Sequence, residues 1–200
     1  MAKNNLKILL AGDSFSAKWP DSPSGWPYLL GKEFNITNVS QAGVGEYKIL
    51  RQLKSQNLNK FDLVIVNHTS PFRVHTNNPI HNTKLHENCD LIFTDVESNL
   101  DKNNQSTVTA YNWFKYHYDE DYQKDIYDLM RKEICSMIKV PYLAIDHSPT
   151  SFERSFEDCH INFTNHWSVH KGLVNHYTEE GNAIVAQRIK EKLNEMGFNS

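Results

Sequence analysis

The sequence predicts an α/β sandwich built on a mainly parallel sheet. Short apolar runs of strand length alternate along the chain with longer segments in which apolar residues recur at helical spacing. The apolar runs are continuous, which is typical of strands that are covered on both faces. Alternation of this kind indicates helices packed on a parallel sheet.

Four strands are predicted from these apolar runs. The first run, Leu6 to Ala11, is ended by the turn Gly12-Asp13-Ser14. The predicted strands cover residues 6–11, 36–39, 61–66 and 140–145. Because ligands bind beyond the carboxyl ends of parallel strands, the residues just past these ends are the first candidates for a functional site.

Helices are predicted from the spacing of apolar residues. The predicted helices cover residues 24–34, 46–58 and 106–138, and a last helix begins after Thr178. Thr178 is a suitable N-cap for that helix, and Gly197 suits its C-terminal end. The apolar face expected within 106–138 consists of Ile126, Leu129, Met130, Ile134 and Ile138.

One domain is expected over residues 1–200. A chain of 200 residues can bury an ordinary core, and no linker or repeat divides it. Two segments, at about 70–105 and 147–175, are polar and weakly periodic. Long irregular segments inside a compact domain are usually functional or mobile.

Composition argues against several partners and compartments. The formal net charge is −3 and no run of Lys or Arg occurs, so no nucleic-acid partner is expected. The apolar run near the N-terminus is too short for a signal peptide or a membrane span, which predicts a cytoplasmic protein with no membrane partner. Cys89, Cys135 and Cys159 form neither a disulfide framework nor a CxxC pair.

Ser14 is the first candidate catalytic residue. A serine hydroxyl becomes a nucleophile when a base removes its proton and a pocket receives the oxyanion. The position after a strand exposes this side chain at the edge of the sheet, and Gly12 permits a tight turn there. The block Gly12-Asp13-Ser14-Phe15-Ser16 after an N-terminal strand resembles the first block of the SGNH/GDSL-type serine hydrolases.

This resemblance implies a fold, an activity and a nucleophile. The family has a three-layer α/β/α sandwich with a mainly parallel, flavodoxin-like sheet. Its members mostly hydrolyse esters of lipids, small acyl groups or acetylated sugars. The order of the predicted elements agrees with the family over nearly the whole chain, and the resemblance implies that Ser14 is the nucleophile.

The second block of the family supplies a glycine whose amide binds the oxyanion. Gly43 fits this role best, because it lies five residues after Asn38, as is usual in the family. Gly45 is the alternative. A glycine amide can approach a developing oxyanion with no side chain in the way.

The third block, Gly-x-Asn-Asp, is absent from this chain. The segment after the third predicted strand reads Asn67-His68-Thr69-Ser70-Pro71-Phe72-Arg73, and the family's oxyanion-binding Asn falls near Pro71, which has no donor. The candidate donors that remain are Asn67, Thr69, Ser70 and Arg73. The sequence leaves the choice among them open.

The segment from His176 to Asn182 resembles the last block, His-x-Ser/Thr-x-x-Gly, in which the histidine is the general base. Imidazole suits this task because its ordinary pKa lies near neutrality. The family's triad aspartate, three residues earlier, is replaced by Leu173. A backbone carbonyl can fix the tautomer instead, which favours a Ser14–His176 dyad. Asp158 is a second candidate, whereas Asn175 is not well placed.

Other histidines could bind a metal. His166 and His170 have the i, i+4 spacing of ligands on one helical turn, and His75, His81 and His86 lie in the first irregular segment. No cysteine cluster or His-Glu-x-x-His motif completes either set. We therefore interpret these side chains as solvated or packing residues and expect no metal and no cofactor.

The leading prediction is a serine esterase that cleaves an acyl or acetyl ester through an acyl-enzyme. The partner expected is a small-molecule or saccharide ester. An acyltransferase that uses the same site is a second hypothesis. A carbohydrate-binding or scaffolding protein without turnover is a third, motivated by the absent Asp and Asn. The oligomeric state is left open.

Overall fold

A five-stranded parallel sheet lies at the centre of the structure. The computed structural model describes residues 5–19, 23–81, 83–147 and 159–198. Within these residues the sheet consists of β1 (Lys7–Gly12), β2 (Asn35–Asn38), β3 (Leu63–His68), β4 (Tyr142–Asp146) and β5 (His160–Asn162). The strand order is β2-β1-β3-β4-β5, and every neighbouring pair is parallel. The four predicted strands are confirmed, and β5 is an additional strand within 147–175.

Helices cover both faces of this sheet. In the described part of the chain they are α1 (Trp26–Leu30), α2 (Glu46–Lys54), α3 (Phe93–Ser98), α4 (Gln105–His117), α5 (Glu120–Met137), α6 (Thr164–Val169) and α7 (Glu179–Glu195), with a 3₁₀ turn at Leu58–Lys60. Helices α1 and α7 pack on one face, and α2 and α5 pack on the other. The predicted three-layer α/β/α sandwich with a flavodoxin-like sheet is therefore confirmed.

The alternation of side chains along each strand divides the core into two layers. In β1, Ile8 and Leu10 pack with the layer that contains α1 and α7. Leu9 and Ala11 pack with the layer that contains α2 and α5. Because successive strand side chains point to opposite faces, a strand covered on both sides must be apolar throughout. This requirement explains the continuous apolar runs.

Two predicted helices are shorter or divided in the structure. The segment 106–138 forms two helices, because Tyr118 and Asp119 adopt extended backbone between α4 and α5. The Asp119 side chain accepts a hydrogen bond from Tyr122 N and so caps the second helix. The segment 24–34 is helical only over α1, which ends at Gly31.

The buried face of α5 differs from the predicted one. Leu129 was expected in the core but is 59% exposed, whereas Arg131 is 1% exposed. The Arg131 guanidinium lies 3.3 Å from both carboxylate oxygens of Asp146, which is itself buried at the end of β4. A buried carboxylate requires a charged partner, so this ion pair turns the helix away from the apolar stripe.

The ends of α7 follow the predicted signals. The Thr178 hydroxyl accepts a hydrogen bond from Gly181 N at 3.1 Å, which confirms it as the N-cap. At the other end Gly197 has a φ of +89°, and the amides of Gly197 and Phe198 donate to the carbonyls of Asn194 and Leu193. These two bonds form a Schellman motif.

The first irregular segment is partly helical. Helices α3 and α4 pack around a third apolar cluster formed by Val96, Ala110 and Phe114. In the second segment, the short strand β6 (Lys171–Val174) lies outside the sheet and pairs with Tyr177. None of the described helices is both long enough and apolar enough to cross a membrane.

The orientation of α5 can be tested by a matched pair of substitutions. We expect Ile134→Ala to lower the free energy of unfolding by about 2–5 kcal/mol, because Ile134 is fully buried. Leu129→Ala should change it by less than about 1 kcal/mol, because that side chain lies mostly in solvent. Urea unfolding followed by circular dichroism measures both values, and equal losses would contradict the observed orientation.

Candidate active site

The turn after β1 is held by the carboxylate of Asp13. This buried group accepts hydrogen bonds from Phe15 N at 2.9 Å, Asn67 Nδ2 at 2.7 Å and Thr69 Oγ1 at 2.9 Å. Gly12 is required beside it, because a Cβ there would lie 2.7 Å from the backbone oxygen of Asn67. These contacts fix the backbone that carries Ser14.

The burial of Asp13 affects its ionisation. Burial raises the pKa of this carboxyl to about 6, against the opposing effect of the Arg73 charge and the hydrogen bonds from Phe15 and Thr69. Because the pKa in the folded protein lies above the ordinary value of 3.8, ionisation costs folding free energy. This cost appears as the pH rises from about 4 to about 6. At neutral pH the ionised Asp13 therefore lowers the free energy of unfolding, although its hydrogen bonds hold the turn.

Ser14 and His176 meet at the edge of the sheet. His176 Nε2 lies 2.8 Å from Ser14 Oγ, although 162 positions separate them in sequence. The turn before α7 presents the imidazole through left-handed backbone at Asn175 and His176, with φ of 47° and 60°. The Asn175 side chain donates to the carbonyls of Ser14 and Ala17, at 3.3 and 3.0 Å. Asn175 thus ties the turn of the base to the turn of the nucleophile.

Aromatic residues surround the imidazole of His176. Its ring centroid lies 4.4 Å from that of Phe15 and 5.8 Å from that of Trp19. Burial, together with the positive charges of Arg73 and His86, lowers the pKa of His176 to about 4. The imidazole is therefore neutral at neutral pH, as a general base must be.

The second nitrogen of this imidazole, Nδ1, has no carboxylate partner in the described part of the chain. Leu173, at the position of the family's triad aspartate, is 88% exposed. Asn175 uses its amide elsewhere. Asp158 lies outside the described residues.

Two residues that line the cleft, Ser14 and Gly43, have backbone amides available for an oxyanion. Neither Ser14 N nor Gly43 N donates to an acceptor among the described residues. Gly45 N, the alternative, donates to Asp90 Oδ2 at 2.7 Å and is therefore occupied. Of the two candidate glycines, only Gly43 lines the cleft that contains Ser14 and His176.

Three of the four candidate donors after β3 do not line this cleft. Asn67 lies within β3, and it and Thr69 are bound to the Asp13 carboxylate. Ser70 Oγ accepts a hydrogen bond from Phe72 N at 3.4 Å. Asn67 belongs to the sheet because β3 continues to His68, two residues beyond its predicted end. Arg73 does line the cleft, and its Nη1 donates to Gly43 O at 3.1 Å.

The cleft has a volume of about 480 Å³, and the first irregular segment forms much of its wall. Residues that the sequence had not indicated for the site line it, namely Trp19, His81, His86, Cys89, Ile92, Thr94, Asp95 and Ser98. The length and polarity of the segment 70–105 were the only signal for most of them. The sequence therefore indicated the segment but not the side chains.

The candidate metal ligands do not form a cluster. No group of three His, Cys, Asp or Glu side chains suited to a metal ion occurs in residues 5–19, 23–81, 83–147 and 159–198. The rings of His166 and His170 lie 4.5 Å apart, and His166 Nε2 lies 3.1 Å from Gly181 O. His81 Nε2 lies 2.7 Å from Asp95 Oδ2. These histidines have packing or hydrogen-bonding partners instead.

No protein-family model matches the sequence, and no curated protein is significantly similar to it. Among solved structures, an extracellular lipase from Streptomyces rimosus is similar to this chain at 14% identity and a TM-score of 0.39, over 97% of this chain and 78% of the lipase. A possible lipase from Chitinophaga pinensis gives 13% identity and a TM-score of 0.42, over 98% of this chain and 100% of its own length. Phospholipase A1 from Streptomyces albidoflavus gives 13% identity and a TM-score of 0.37, over 98% of this chain and 78% of the phospholipase.

The chain is thus similar to lipases, but a likeness of this size does not establish its function. The positions of Ser14 and His176 on the sheet are more specific than this overall likeness. A parallel sheet of the expected strand order carries Ser14 after its first strand and His176 before the last helix. This is the architecture that the resemblance to SGNH/GDSL-type serine hydrolases implies. The functional conclusion depends on the geometry of the site.

The close packing at Gly43 leads to a prediction. Gly43 has a φ of +71°, and a Cβ there would overlap Cys89 Sγ. We expect Gly43→Ala to lower the free energy of unfolding by about 2–4 kcal/mol, through backbone strain and overpacking together. Gly197→Ala is the matched control for strain alone, since its φ is +89° and nothing lies within 4 Å. It should cost about 1 kcal/mol.

A double-mutant cycle separates the two contributions at Gly43. Combining Gly43→Ala with Cys89→Ala removes the sulfur that the new methyl group would meet. The double variant should therefore be more stable than the sum of the two single losses implies. Strictly additive losses in thermal or urea unfolding would show that the sulfur does not limit this position.

Proposed function

We propose that the protein is a serine esterase of the SGNH/GDSL type, with Ser14 as nucleophile and His176 as general base. The observation that carries the proposal is the 2.8 Å separation of Ser14 Oγ and His176 Nε2 in an open cleft. The unengaged amides of Ser14 and Gly43 support it, because an acyl transfer also requires donors for the oxyanion. A binding protein without turnover would not require either feature.

The reaction proceeds in two halves. Ser14 Oγ bonds to the acyl carbon while its proton passes to His176 Nε2, and the amides of Ser14 and Gly43 receive the oxyanion. The bond to the alcohol then breaks, and His176 returns the proton to the leaving oxygen. Water attacks the acyl-enzyme, His176 takes a proton from it, and Ser14 regains its hydroxyl as the acid leaves.

We infer that His176 acts in a dyad. Its ring is fixed by contacts with Phe15 and Trp19 and by the turn that Asn175 ties to Ser14. These contacts supply the orientation that a triad aspartate would otherwise supply. They do not supply a negative charge, so the imidazolium formed during attack is stabilised less than in a triad.

The substrate class that we propose is a small acyl or acetyl ester, with a saccharide as a suitable alcohol. The lining of the cleft is mainly polar, and its volume of about 480 Å³ suits a small molecule. Trp19 also borders a second depression together with Tyr28, whose ring is 53% exposed. Exposed aromatic rings of this kind suit the faces of a sugar.

We also propose that the protein acts in the reducing environment of the cytoplasm. The three cysteines, all in the described part of the chain, form no disulfide. Cytosolic proteins commonly keep their thiols reduced. Fractionation of the native cells, followed by immunoblotting, tests this compartment.

Covalent labelling tests the nucleophile directly. A fluorophosphonate probe should label the wild type, and Ser14→Ala should abolish labelling and lower kcat for p-nitrophenyl acetate by about 10³-fold or more. His176→Ala should lower both the labelling and kcat, because the Ser14 hydroxyl then lacks its base. Ser98→Ala is the matched control, since Ser98 lines the same cleft, and it should retain labelling. Labelling that survives in Ser14→Ala would refute the assignment.

The lowered pKa of His176 predicts an unusual pH profile. Only neutral imidazole accepts the proton of Ser14, and its pKa is about 4 rather than 6.5. The value of kcat/KM for a neutral ester should therefore stay near its maximum down to about pH 5, and fall about tenfold per unit below pH 4. Stopped assays after brief exposure to acid, with recovery checked at pH 7, measure this. A loss centred near 6.5 would contradict the desolvated base.

A further inference from the structure

Arg73 has hydrogen-bonding capacity that none of the described residues uses. Its Nη1 donates to Gly43 O, but its Nε is buried and has no hydrogen-bond partner. No carboxylate of the described residues lies within ion-pair distance of this guanidinium. Because Arg73 lines the cleft, the part of its guanidinium that faces the cleft can donate to an acceptor that enters from solvent.

The carboxylates around Arg73 already have other partners. Asp90 is bound by Lys48 Nζ at 2.8 Å and by the amides of Gly45 and Thr76, at 2.7 and 3.0 Å. Asp13 accepts its three hydrogen bonds within the turn after β1. Neither carboxylate contributes a hydrogen bond to the guanidinium.

The carboxylate that lines the cleft contacts a histidine rather than Arg73. Asp95 is the one carboxylate among its described lining residues, and it lies 2.7 Å from His81 Nε2. Burial, together with the nearby His81, lowers the pKa of His86. Arg73 is therefore the only permanent positive charge among the described residues that line the cleft.

Resting on the esterase proposed above, we propose that the natural substrate carries a negatively charged group, a carboxylate or a phosphate, that pairs with Arg73 inside the catalytic cleft. The guanidinium is half-buried and shares the cleft with Ser14 and His176, so the charged group lies within a few bonds of the ester. A planar guanidinium that lines a cleft suits a two-oxygen acceptor, because two of its N–H groups can donate side by side.

The charge of Arg73 also opposes the reaction of a neutral ester. It is the second cause, after burial, that lowers the pKa of His176, because a positive neighbour disfavours the imidazolium. An anionic group on the substrate would cancel this charge while it is bound. The same ion pair would therefore favour binding and also favour proton transfer from Ser14.

The test compares two esters of matched length on several variants. p-Nitrophenyl hydrogen glutarate carries a carboxylate, and p-nitrophenyl pentanoate is its neutral counterpart. At pH 7, where His176 is neutral, Arg73→Gln should lower kcat/KM for the glutarate ester by about 10- to 100-fold, as expected for a charge-assisted hydrogen bond. The pentanoate ester should change less than about threefold, and Arg73→Lys should restore part of the loss. Spontaneous hydrolysis of each ester is subtracted.

Arg51→Gln is the matched control. Arg51 is exposed on α2 and outside the cleft, and its substitution removes the same net charge. Arg51→Gln should leave kcat/KM unchanged for both esters. Equal losses on the two esters in Arg73→Gln would overturn the proposal and would assign Arg73 to the common oxyanion or to the integrity of the Gly43 loop.

A binding measurement keeps this proposal separate from the esterase itself. Calorimetric titration of glutarate and of inorganic phosphate into the wild type should show a site that Arg73→Gln loses and Arg51→Gln keeps. The stronger of the two ligands identifies the charged group. If no ester were hydrolysed and this binding persisted, the esterase would fail and the anion site would stand. If ester hydrolysis persisted without any binding or charge preference, the anion site would fail alone.

Discussion

The hydrogen bond between Ser14 and His176 depends on holding two distant turns against each other. Buried asparagines do this, since Asn175 binds the carbonyl of Ser14. Asn182, in the first turn of α7, accepts from Trp26 N at 3.0 Å and donates to Val174 O at 3.0 Å. Each contact satisfies backbone groups that would otherwise be buried without partners. The Ser14–His176 pair is thus fixed by the same bonds that close the apolar layer around α1 and α7.

The site differs electrostatically from a triad of nucleophile, base and acid. No described carboxylate accompanies His176 Nδ1, and a positive charge, Arg73, lies in the cleft. In the mechanism that we propose, both differences destabilise the imidazolium that forms during attack, and this is why we propose a substrate that supplies negative charge. Asp13 cannot supply it directly, because its oxygens hold the turn that carries Ser14.

Where the sequence misled, a buried polar contact was the cause. Periodicity placed Leu129 inside, but the pairing of Arg131 with Asp146 set the rotation of α5. Asn67 was a candidate donor, but β3 is longer than its apolar run and its side chain is bound to Asp13. Hydrophobic patterning cannot predict the burial of a polar or charged residue whose partner is distant in sequence. For the same reason it did not indicate which side chains of the segment 70–105 line the cleft.

The sequence by itself determined the order of the first four strands, the alternation of strands with helices, the caps of α7, and the candidates Ser14, Gly43 and His176. These features depend on local signals: apolar runs, N-capping oxygens, and glycines at turns. Only the tertiary structure decided that Gly43 N rather than Gly45 N is free, and that Arg73 rather than Asn67 reaches the cleft. Which donor is free depends on whether a distant carboxylate has already bound it, and that is settled only when the chain is folded.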